Sequence, residues 1–135
     1  MSLHSDILVV GAGPAGLSFA AELVGSGLKV TLIEKSPLEV LQNPPYDGRE
    51  IALTHLSREI MQRLGMWNLI PKDEIYPLRD AKVLNGQSDY QLHFPQPNQA
   101  RGEPADCLGY LISNHNIRKA AYEVVSKLEN VTILT

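Results

Sequence analysis

Residues 6–34, DILVVGAGPAGLSFAAELVGSGLKVTLIE, decide the fold of this chain. The segment opens with a short apolar run rich in β-branched residues, which predicts a strand buried on both faces of a parallel sheet. A helix is predicted next, because small or apolar residues recur at helical spacing at Leu17, Ala20, Ala21 and Val24. Gly25 and Gly27 end this helix, and residues 29–34 form a second strand. The segment is therefore predicted to be a strand–helix–strand unit.

The first strand runs directly into a GxGxxG motif at residues 11–16. Gly11 allows a tight turn, Gly13 lets a diphosphate approach the backbone, and Gly16 lets the helix lie close to the strand. Pro14 suits the first helical turn, and the unpaired N–H groups of that turn, at the positive end of the helix dipole, then face the phosphates. A flexible turn is the alternative, but the order of elements favours a dinucleotide site. Its candidate residues are Gly11, Gly13, Pro14, Ala15 and Gly16.

Glu34 ends the second strand 18 residues after Gly16. A carboxylate at this point can accept hydrogen bonds from ribose hydroxyls, and it would repel the 2′-phosphate of NADP. The alternative is a solvated charge at a strand end. Lys35 is a further candidate cofactor-binding residue, without an assigned contact. The pattern alone leaves open whether the dinucleotide is FAD or NAD.

The middle of the chain departs from a simple alternation of strands and helices. Residues 36–53 form a long connection, and a continuous helix through it is prevented by Pro37, Pro44 and Pro45. The next predicted helix has Thr54 or Ser57 as its cap and Gly65 at its end, and its apolar face consists of Leu56, Ile60 and Leu64. Core residues are predicted to follow at Trp67, Leu69 and Ile70.

In the second half of the chain, the sequence pattern predicts a hairpin, a strand, a helix and a last strand. Residues 81–84 and 89–94 flank Asn85-Gly86 as an antiparallel hairpin, and a polar loop follows at 95–107. Strands are predicted at 109–113 and 131–134. Between them lies an amphipathic helix with Ser113 or Asn114 as its cap and an apolar face of Ile117, Ala121, Val124 and Leu128.

The composition is that of an ordinary globular protein, with 135 residues, 44% hydrophobic, 20% charged and a formal net charge of −3. This mildly acidic balance, without a basic tract, argues against nucleic acid as a partner. The single cysteine, Cys107, excludes an internal disulfide, and no signal peptide or spanning helix is visible, so a cytoplasmic location is expected. The four histidines are scattered, so no metal site is predicted, and no catalytic acid, base or nucleophile is assigned.

Longer stretches resemble one family. GAGPAG, with small Ala20 shortly after it, resembles the opening of the flavin hydroxylases, which favours FAD. Residues 47–70 (DGREIALTHLSREIMQRLGMWNLI) and 108–125 (LGYLISNHNIRKAAYEVV) resemble the ubiquinone-biosynthesis hydroxylases, which are FAD-dependent aromatic monooxygenases typified by para-hydroxybenzoate hydroxylase. The resemblance implies an α/β fold with a Rossmann-like parallel βαβ FAD-binding core. A small antiparallel hairpin or sheet from the start of a substrate domain is expected beside this core.

The resemblance also implies functions for two further residues. In that family, the arginine that corresponds to Arg49 lies near the diphosphate and ribose of the cofactor, where a guanidinium can make bidentate bonds. The alternative is an exposed arginine in a loop of mixed charge. Asn114 falls where many relatives carry a polar or basic residue that touches the cofactor, and helix capping is an equally good explanation.

The family's polypeptide is considerably longer and carries a later Gly-Asp segment, and no GD pair occurs here. Residues 1–135 are therefore expected to be a truncated N-terminal FAD-binding domain, inactive alone, in which about 75–113 begin the substrate-domain β segment. The resemblance implies NAD(P)H as co-substrate, with O2, and a lipid-like aromatic substrate, a prenylated phenol or quinol of ubiquinone biosynthesis.

A lipid-like substrate is compatible with peripheral association of the longer protein with the inner membrane, and an exposed sheet edge with a homo-oligomer. Two alternatives stay open at this point. One is a dinucleotide-binding module without its own chemistry, and the other is a fragment of an NAD-dependent oxidoreductase.

Overall fold

A computed structural model describes residues 4–135. Within this range there are ten strands, four α-helices and two short 3-10 turns, Trp67–Leu69 and Lys72–Glu74. In chain order the elements are β1 Ile7–Val10, α1 Pro14–Glu22, β2 Val30–Ile33, α2 Leu38–Gln42, β3 Glu50–Leu53, α3 His55–Arg63, β4 Tyr76–Leu78, β5 Ala81–Leu84, β6 Gln91–Phe94, β7 Gln99–Ala100, β8 Glu103–Pro104, β9 Gly109–Ser113, α4 Asn114–Val125 and β10 Val131–Leu134.

A three-stranded parallel sheet forms the centre of the fold, in the order β1-β2-β10. Helices α1 and α4 contact each other, and α1 also contacts β2. The core between these elements is made of small and branched apolar side chains, which let helix and sheet approach closely: Leu17, Ala20, Ala21, Val30, Leu32, Ile117, Ala121 and Val125. The predicted Rossmann-like α/β core is confirmed.

The helices cover only one face of this sheet in the part of the chain described. On β1, Leu8 is 61% exposed and Val10 is 84% exposed, while Ile7 and Val9 are partly buried. The prediction that the first strand is buried on both faces is therefore wrong for residues 4–135. The physical reason is that alternate strand residues point to opposite faces, and here only one face has a helical layer. The edge of β1 away from β2 also has no strand paired with it among these residues.

A second, antiparallel sheet has the order β3-β9-β4. A Cβ built on Gly109 would lie 2.2 Å from the backbone oxygen of Leu53, so glycine allows β9 to approach the end of β3. The predicted strand at 109–113 is confirmed, as is the hairpin of β5 and β6, in which Val83 lies opposite Leu92. The polar loop predicted at 95–107 contains a further short hairpin, β7 with β8.

Other local predictions need correction. The connection at 36–53 contains the short helix α2, which fits between Pro37 and Pro44, and it ends in β3. Val24 lies beyond the end of α1 and is 57% exposed. Leu56 is 45% exposed because Met61 supplies the buried side chain of α3. Leu69 is 39% exposed because Trp67 and Ile70 occupy the core in that turn.

The topology brings several chain segments to one edge of the parallel sheet, namely the edge at which its strands end, and not the lateral edge of β1. Both β1 and β2 end at this edge, and α1 begins there. Helix α4 leads into β10, which runs parallel to β2, so α4 runs antiparallel to the strands and also begins there. The carboxyl ends of parallel strands, where α/β proteins commonly bind ligands, therefore lie beside the first residues of both helices.

Candidate functional site

The glycine motif forms the turn between β1 and α1. Gly11 has a φ of +105°, which a residue with a side chain rarely adopts, and its N–H donates to the backbone oxygen of Ile33 at 2.7 Å. Gly13 caps α1 in an extended conformation, and Pro14 is the first helical residue. Within residues 4–135, no acceptor is found for the N–H groups of Gly13, Ala15 and Gly16. Three donors thus remain at the positive end of α1, where an anion is favoured.

Two glycines of the motif serve different purposes. A Cβ on Gly16 would lie 2.1 Å from the backbone oxygen of Gly11, so only glycine lets α1 approach the end of β1 this closely. A Cβ on Gly13 would meet nothing within 4 Å. Space therefore remains open against the Gly13 backbone, beside the free amides. A diphosphate can approach the backbone through this open space, so the residues present fit an ADP-containing cofactor.

Glu34 lies immediately after β2 and contacts the glycine motif directly. Its Oε2 accepts a hydrogen bond from the N–H of Ala12 at 2.8 Å, and its Oε1 accepts one from the N–H of Ser36, also at 2.8 Å. The N–H of Ser36, followed by that of Ala12, lowers the pKa of Glu34 below its usual value. The carboxylate is therefore ionised at neutral pH. Each oxygen keeps a further lone-pair direction for a hydroxyl donor.

A cleft of about 300 Å³ lies at this end of the sheet. Its lining consists of Val10, Gly11, Ile33, Glu34 and Lys35. The structure thus brings the beginning of the glycine motif together with Glu34 and Lys35. The exposed side chains of Val10 and Ile33, which are paired in the β1–β2 register, give the cleft an apolar floor.

Arg49 and Asn114 form a second cluster, and Asp47 joins them. The carboxylate of Asp47 accepts hydrogen bonds from the guanidinium of Arg49 and from Nδ2 of Asn114, the latter at 2.8 Å. These bonds, with Arg49 contributing most, hold the pKa of Asp47 well below its usual range. The backbone N–H of Asn114 donates to the backbone oxygen of Arg49 at 2.8 Å. The cluster lies at the start of α4, at the same sheet edge as the glycine motif, and among the described residues no hydrogen bond joins it to that motif.

The cap of α4 is Ser113, whose Oγ accepts a hydrogen bond from the N–H of Asn116 at 3.3 Å. The capping alternative for Asn114 is therefore wrong, because its side chain contacts Asp47 instead. The alternative of Arg49 as an exposed arginine in a loop of mixed charge describes its surroundings correctly, since 68% of its side chain is exposed. The involvement of Asp47 was missed, although its position two residues before Arg49 was a visible signal.

A further polar cluster lies away from this edge and had no signal in the sequence. Arg58 donates from Nη1 to the hydroxyl of Tyr110 at 2.5 Å, and its guanidinium carbon lies 5.6 Å from the ring centre of Trp67. A cavity of about 490 Å³ adjoins it between α3 and the β7–β8 hairpin. Burial of Tyr110 raises the pKa of its hydroxyl, which therefore stays protonated. The acidic and basic residues around this cavity are mixed, and they favour no single ligand charge.

Residues 4–135 show neither a metal-binding cluster nor a membrane-spanning helix. No three side chains of His, Cys, Asp or Glu in this range come together in a way that could hold a metal ion. The helices described there are all too short or too polar to serve as a membrane span.

Known proteins similar to this chain include two ubiquinone hydroxylases. UbiM of Neisseria meningitidis serogroup C is 89% identical over 135 residues, which are 100% of this chain and 29% of that protein. UbiL of Rhodospirillum rubrum is 31% identical over 130 residues, 96% of this chain and 29% of that protein. The chain thus spans less than a third of the length of these relatives. Their similarity confirms the resemblance to ubiquinone-biosynthesis hydroxylases.

Among solved structures, p-nitrophenol 4-monooxygenase PnpA from Pseudomonas putida DLL-E4 has the same fold over this region. The match has a TM-score of 0.65 at 21% identity and covers 99% of this chain and 32% of PnpA. A family model described as "FAD binding domain" matches residues 4–124, which include the glycine motif, Glu34, Arg49 and Asn114. The chain therefore belongs to the FAD binding domain family.

Proposed function

We propose that this chain holds the ADP half of FAD at the carboxyl end of its parallel sheet, as part of a longer flavin-dependent monooxygenase. The observation that carries the proposal is the turn at residues 11–16, which presents unpaired backbone donors beside an ionised Glu34. The similarity to two ubiquinone hydroxylases supports a prenylated phenol or quinol as the substrate of the longer protein.

The diphosphate is assigned to the start of α1. The N–H groups of Gly13, Ala15 and Gly16 supply three hydrogen-bond donors, and the dipole of α1 adds a favourable field for negative charge. The amide of Ala12 is excluded from this set, because it already donates to Glu34. The diphosphate is therefore proposed to contact the motif from Gly13 onward rather than along its whole length.

The ribose is assigned to Glu34. Its two oxygens are held by backbone donors on either side, so the carboxylate has a fixed orientation and a lowered pKa. Its remaining lone pairs can accept the ribose hydroxyls, and its charge disfavours a 2′-phosphate. Lys35 lines the same cleft, and we propose that its ammonium lies beside the cofactor as an electrostatic contact.

Arg49, directly before β3, and Asn114, the first residue of α4, are proposed to contribute as well. An arginine guanidinium suits diphosphate recognition because its planar donors can contact two oxygens at once. Asn114 acts on Arg49 through Asp47 and through the bond between their backbones. FAD, when bound, supplies the redox chemistry, and NAD(P)H and O2 are the proposed co-substrates of the longer protein. No acid, base or nucleophile is assigned to this chain, whose residues bind and orient.

Residues 75–113 are proposed to begin the substrate-binding part of the longer protein. The hairpin β5–β6 supports this, because its side chains Val83, Leu92 and Phe94 are 56%, 44% and 44% exposed and lie on one face with Ala81. The lipid-like substrate class supports a cytoplasmic location peripheral to the inner membrane. We also propose a homo-oligomer, because the unpaired edge of β1 can pair with another copy of the chain. Self-association of the chain in solution tests this proposal.

The test is titration of the chain with FAD by calorimetry, for wild type and Glu34→Ala. Glu34→Ala removes a charged hydrogen bond that contributes roughly 1.5–3 kcal/mol, so FAD binding is expected to weaken about 10- to 150-fold. Glu129→Ala is the matched control, because it removes the same charge from an exposed position near the start of β10, at the opposite edge of the sheet. Equal affinity for wild type and Glu34→Ala would contradict the assignment, as would tighter binding of NAD than of FAD.

A second measurement tests whether the chain binds only the ADP half of FAD and lacks the site of the flavin ring. The chain mixed with FAD and NADPH is expected to oxidise NADPH no faster than free flavin does, since no catalytic group is assigned to it. Sustained NADPH oxidation above that rate would show that the chain carries the flavin-ring site as well, and the restriction to the ADP half would then be wrong.

A further inference from the structure

We propose that Asp47 is a positioning residue, which holds the guanidinium of Arg49 in place for the diphosphate of FAD. This inference rests on the proposed function, because it takes FAD as the ligand at this edge of the sheet. It adds a residue that has no direct contact with the ligand and acts only through its neighbour.

A single carboxylate receives four donors here, from two separate parts of the chain. Oδ2 of Asp47 accepts from Arg49 Nε at 2.9 Å, from Arg49 Nη2 at 2.6 Å and from Asn114 Nδ2 at 2.8 Å. Oδ1 accepts from the backbone N–H of Arg49 at 3.1 Å. Because Asn114 is the first residue of α4, the guanidinium is fixed relative to that helix and not only to its own loop.

The contacts leave part of the guanidinium available for a ligand. An arginine side chain carries five N–H donors in a planar fork, and Asp47 takes one from Nε and one from Nη2. The second N–H of Nη2 and both of Nη1 remain for an anion. Asp47 thus restricts the rotation of the Arg49 side chain and still leaves these donors free for a ligand. Because the side chain is already ordered, less conformational entropy is lost when the ligand binds.

Stability alone does not account for this arrangement. The side chain of Arg49 is 68% exposed and that of Asp47 is 26% exposed, and ion pairs between exposed groups contribute little to folding. The bonds instead determine where a flexible cation lies. The strongly lowered pKa of Asp47 is consistent with this, because the carboxylate stays ionised and the network stays intact at every working pH.

Asp47 has two opposing effects on an anionic ligand, and salt separates them. Its negative charge repels the diphosphate, whereas its hydrogen bonds position Arg49. Repulsion between exposed charges is largely screened at about 0.5 M salt, where the Debye length is only about 4 Å. The hydrogen bonds from Arg49 to Asp47 are weakened less, because at 2.6 and 2.9 Å they are shorter than this Debye length. Affinities measured at high salt therefore report chiefly on the position of Arg49.

The experiment is a double-mutant cycle on the chain, with FAD titrated at high salt into wild type, Asp47→Ala, Arg49→Met and the double variant. Asp47→Ala is expected to weaken binding about 3- to 10-fold, the cost of ordering one long side chain. In the Arg49→Met background the same change is expected to have no further effect. Urea unfolding of each variant checks that the fold is retained, and we expect a lower midpoint but a single cooperative transition for Asp47→Ala, because the buried side chain of Asn114 loses its acceptor.

Two results would overturn the inference. One is equal or tighter binding of FAD by Asp47→Ala at high salt. The other is the same loss in the Arg49→Met background, which would mean that Asp47 acts through the fold. Glu34→Ala distinguishes this failure from a failure of the proposed function. If wild type binds FAD no better than Glu34→Ala does, the site itself is wrong and this inference fails with it.

Discussion

Replacing Gly16 with alanine tests the close approach of α1 to β1. The new Cβ would lie 2.1 Å from the backbone oxygen of Gly11, far inside the 3.4 Å at which ordinary contact begins. The obstructing atom is backbone, so the start of the helix itself has to move. Overpacking of this kind costs about 1–3 kcal/mol, and the better helix propensity of alanine offsets up to about 1 kcal/mol of that. Because the obstructing atom is backbone, we expect the upper end of this range, and a net loss of about 2 kcal/mol lowers the melting temperature by roughly 6–10 °C.

Gly13→Ala is the matched control, because it adds the same methyl group to the same turn. Its Cβ meets nothing within 4 Å, and a φ of −76° suits any residue. Alanine at a helix N-cap costs below about 1 kcal/mol relative to glycine, so stability is expected to change little. The methyl group nevertheless occupies the space proposed for the diphosphate. We expect FAD affinity to fall in both variants, and stability to fall clearly only in Gly16→Ala.

The measurements are thermal unfolding followed by circular dichroism and FAD titration by calorimetry, on wild type and both variants. Gly16→Ala with wild-type stability would show that α1 and β1 are not in tight contact at Gly11. Gly13→Ala with wild-type FAD affinity would show that the diphosphate does not lie against that backbone. Either result would refute the corresponding half of the reasoning.

Two further predictions concern other interactions. Because folding lowers the pKa of Glu34, the ionised carboxylate stabilises the folded state above about pH 4.5, and this stabilisation is lost as the pH falls further. Between pH 7 and pH 3.5, the free energy of unfolding in urea should therefore fall more steeply for wild type than for Glu34→Gln. Parallel curves for the two proteins would exclude this contribution. Arg58→Met should lower the free energy of unfolding by about 2–4 kcal/mol, since it removes a charged hydrogen bond to Tyr110 and a cation–π contact with Trp67. Arg63→Ala on the same helix breaks only an exposed ion pair and should cost less than about 1 kcal/mol; similar losses in the two variants would argue against the cluster.

The part of the fold that the sequence predicts best is the βαβ unit at residues 6–34. There the periodicity, the glycines and the chain length of each element all favour the same structure, and the observed strands and helix follow them within a residue or two at most ends. The hairpin around Asn85-Gly86 was predictable for the same reason, since turn chemistry and strand propensity agree. Burial was harder to predict than element type. Periodicity states which side chains share a face, but it does not state whether another layer covers that face, as Leu8 and Val10 demonstrate.

The residues of the candidate site also differ in how well the sequence predicts them. The glycine motif and Glu34 were accessible from sequence because their spacing is set by one short local unit. The link between Asp47 and Asn114 was not accessible, because it joins residues 67 positions apart, and only the return of the chain through β9 brings them together. The Arg58 cluster is a similar case, since Tyr110 is 52 positions away from it. Side-chain partners across such distances depend on tertiary topology, which local patterns do not encode.

The hydrogen bond from Ala12 to Glu34 has a kinetic consequence. It connects the turn after the first strand to the tip of the second, so neither the carboxylate nor the loop has to rearrange when a nucleotide arrives. Association should then resemble the docking of two rigid bodies and follow a single kinetic phase. Differences in affinity among variants of this loop would accordingly appear in how quickly the nucleotide leaves.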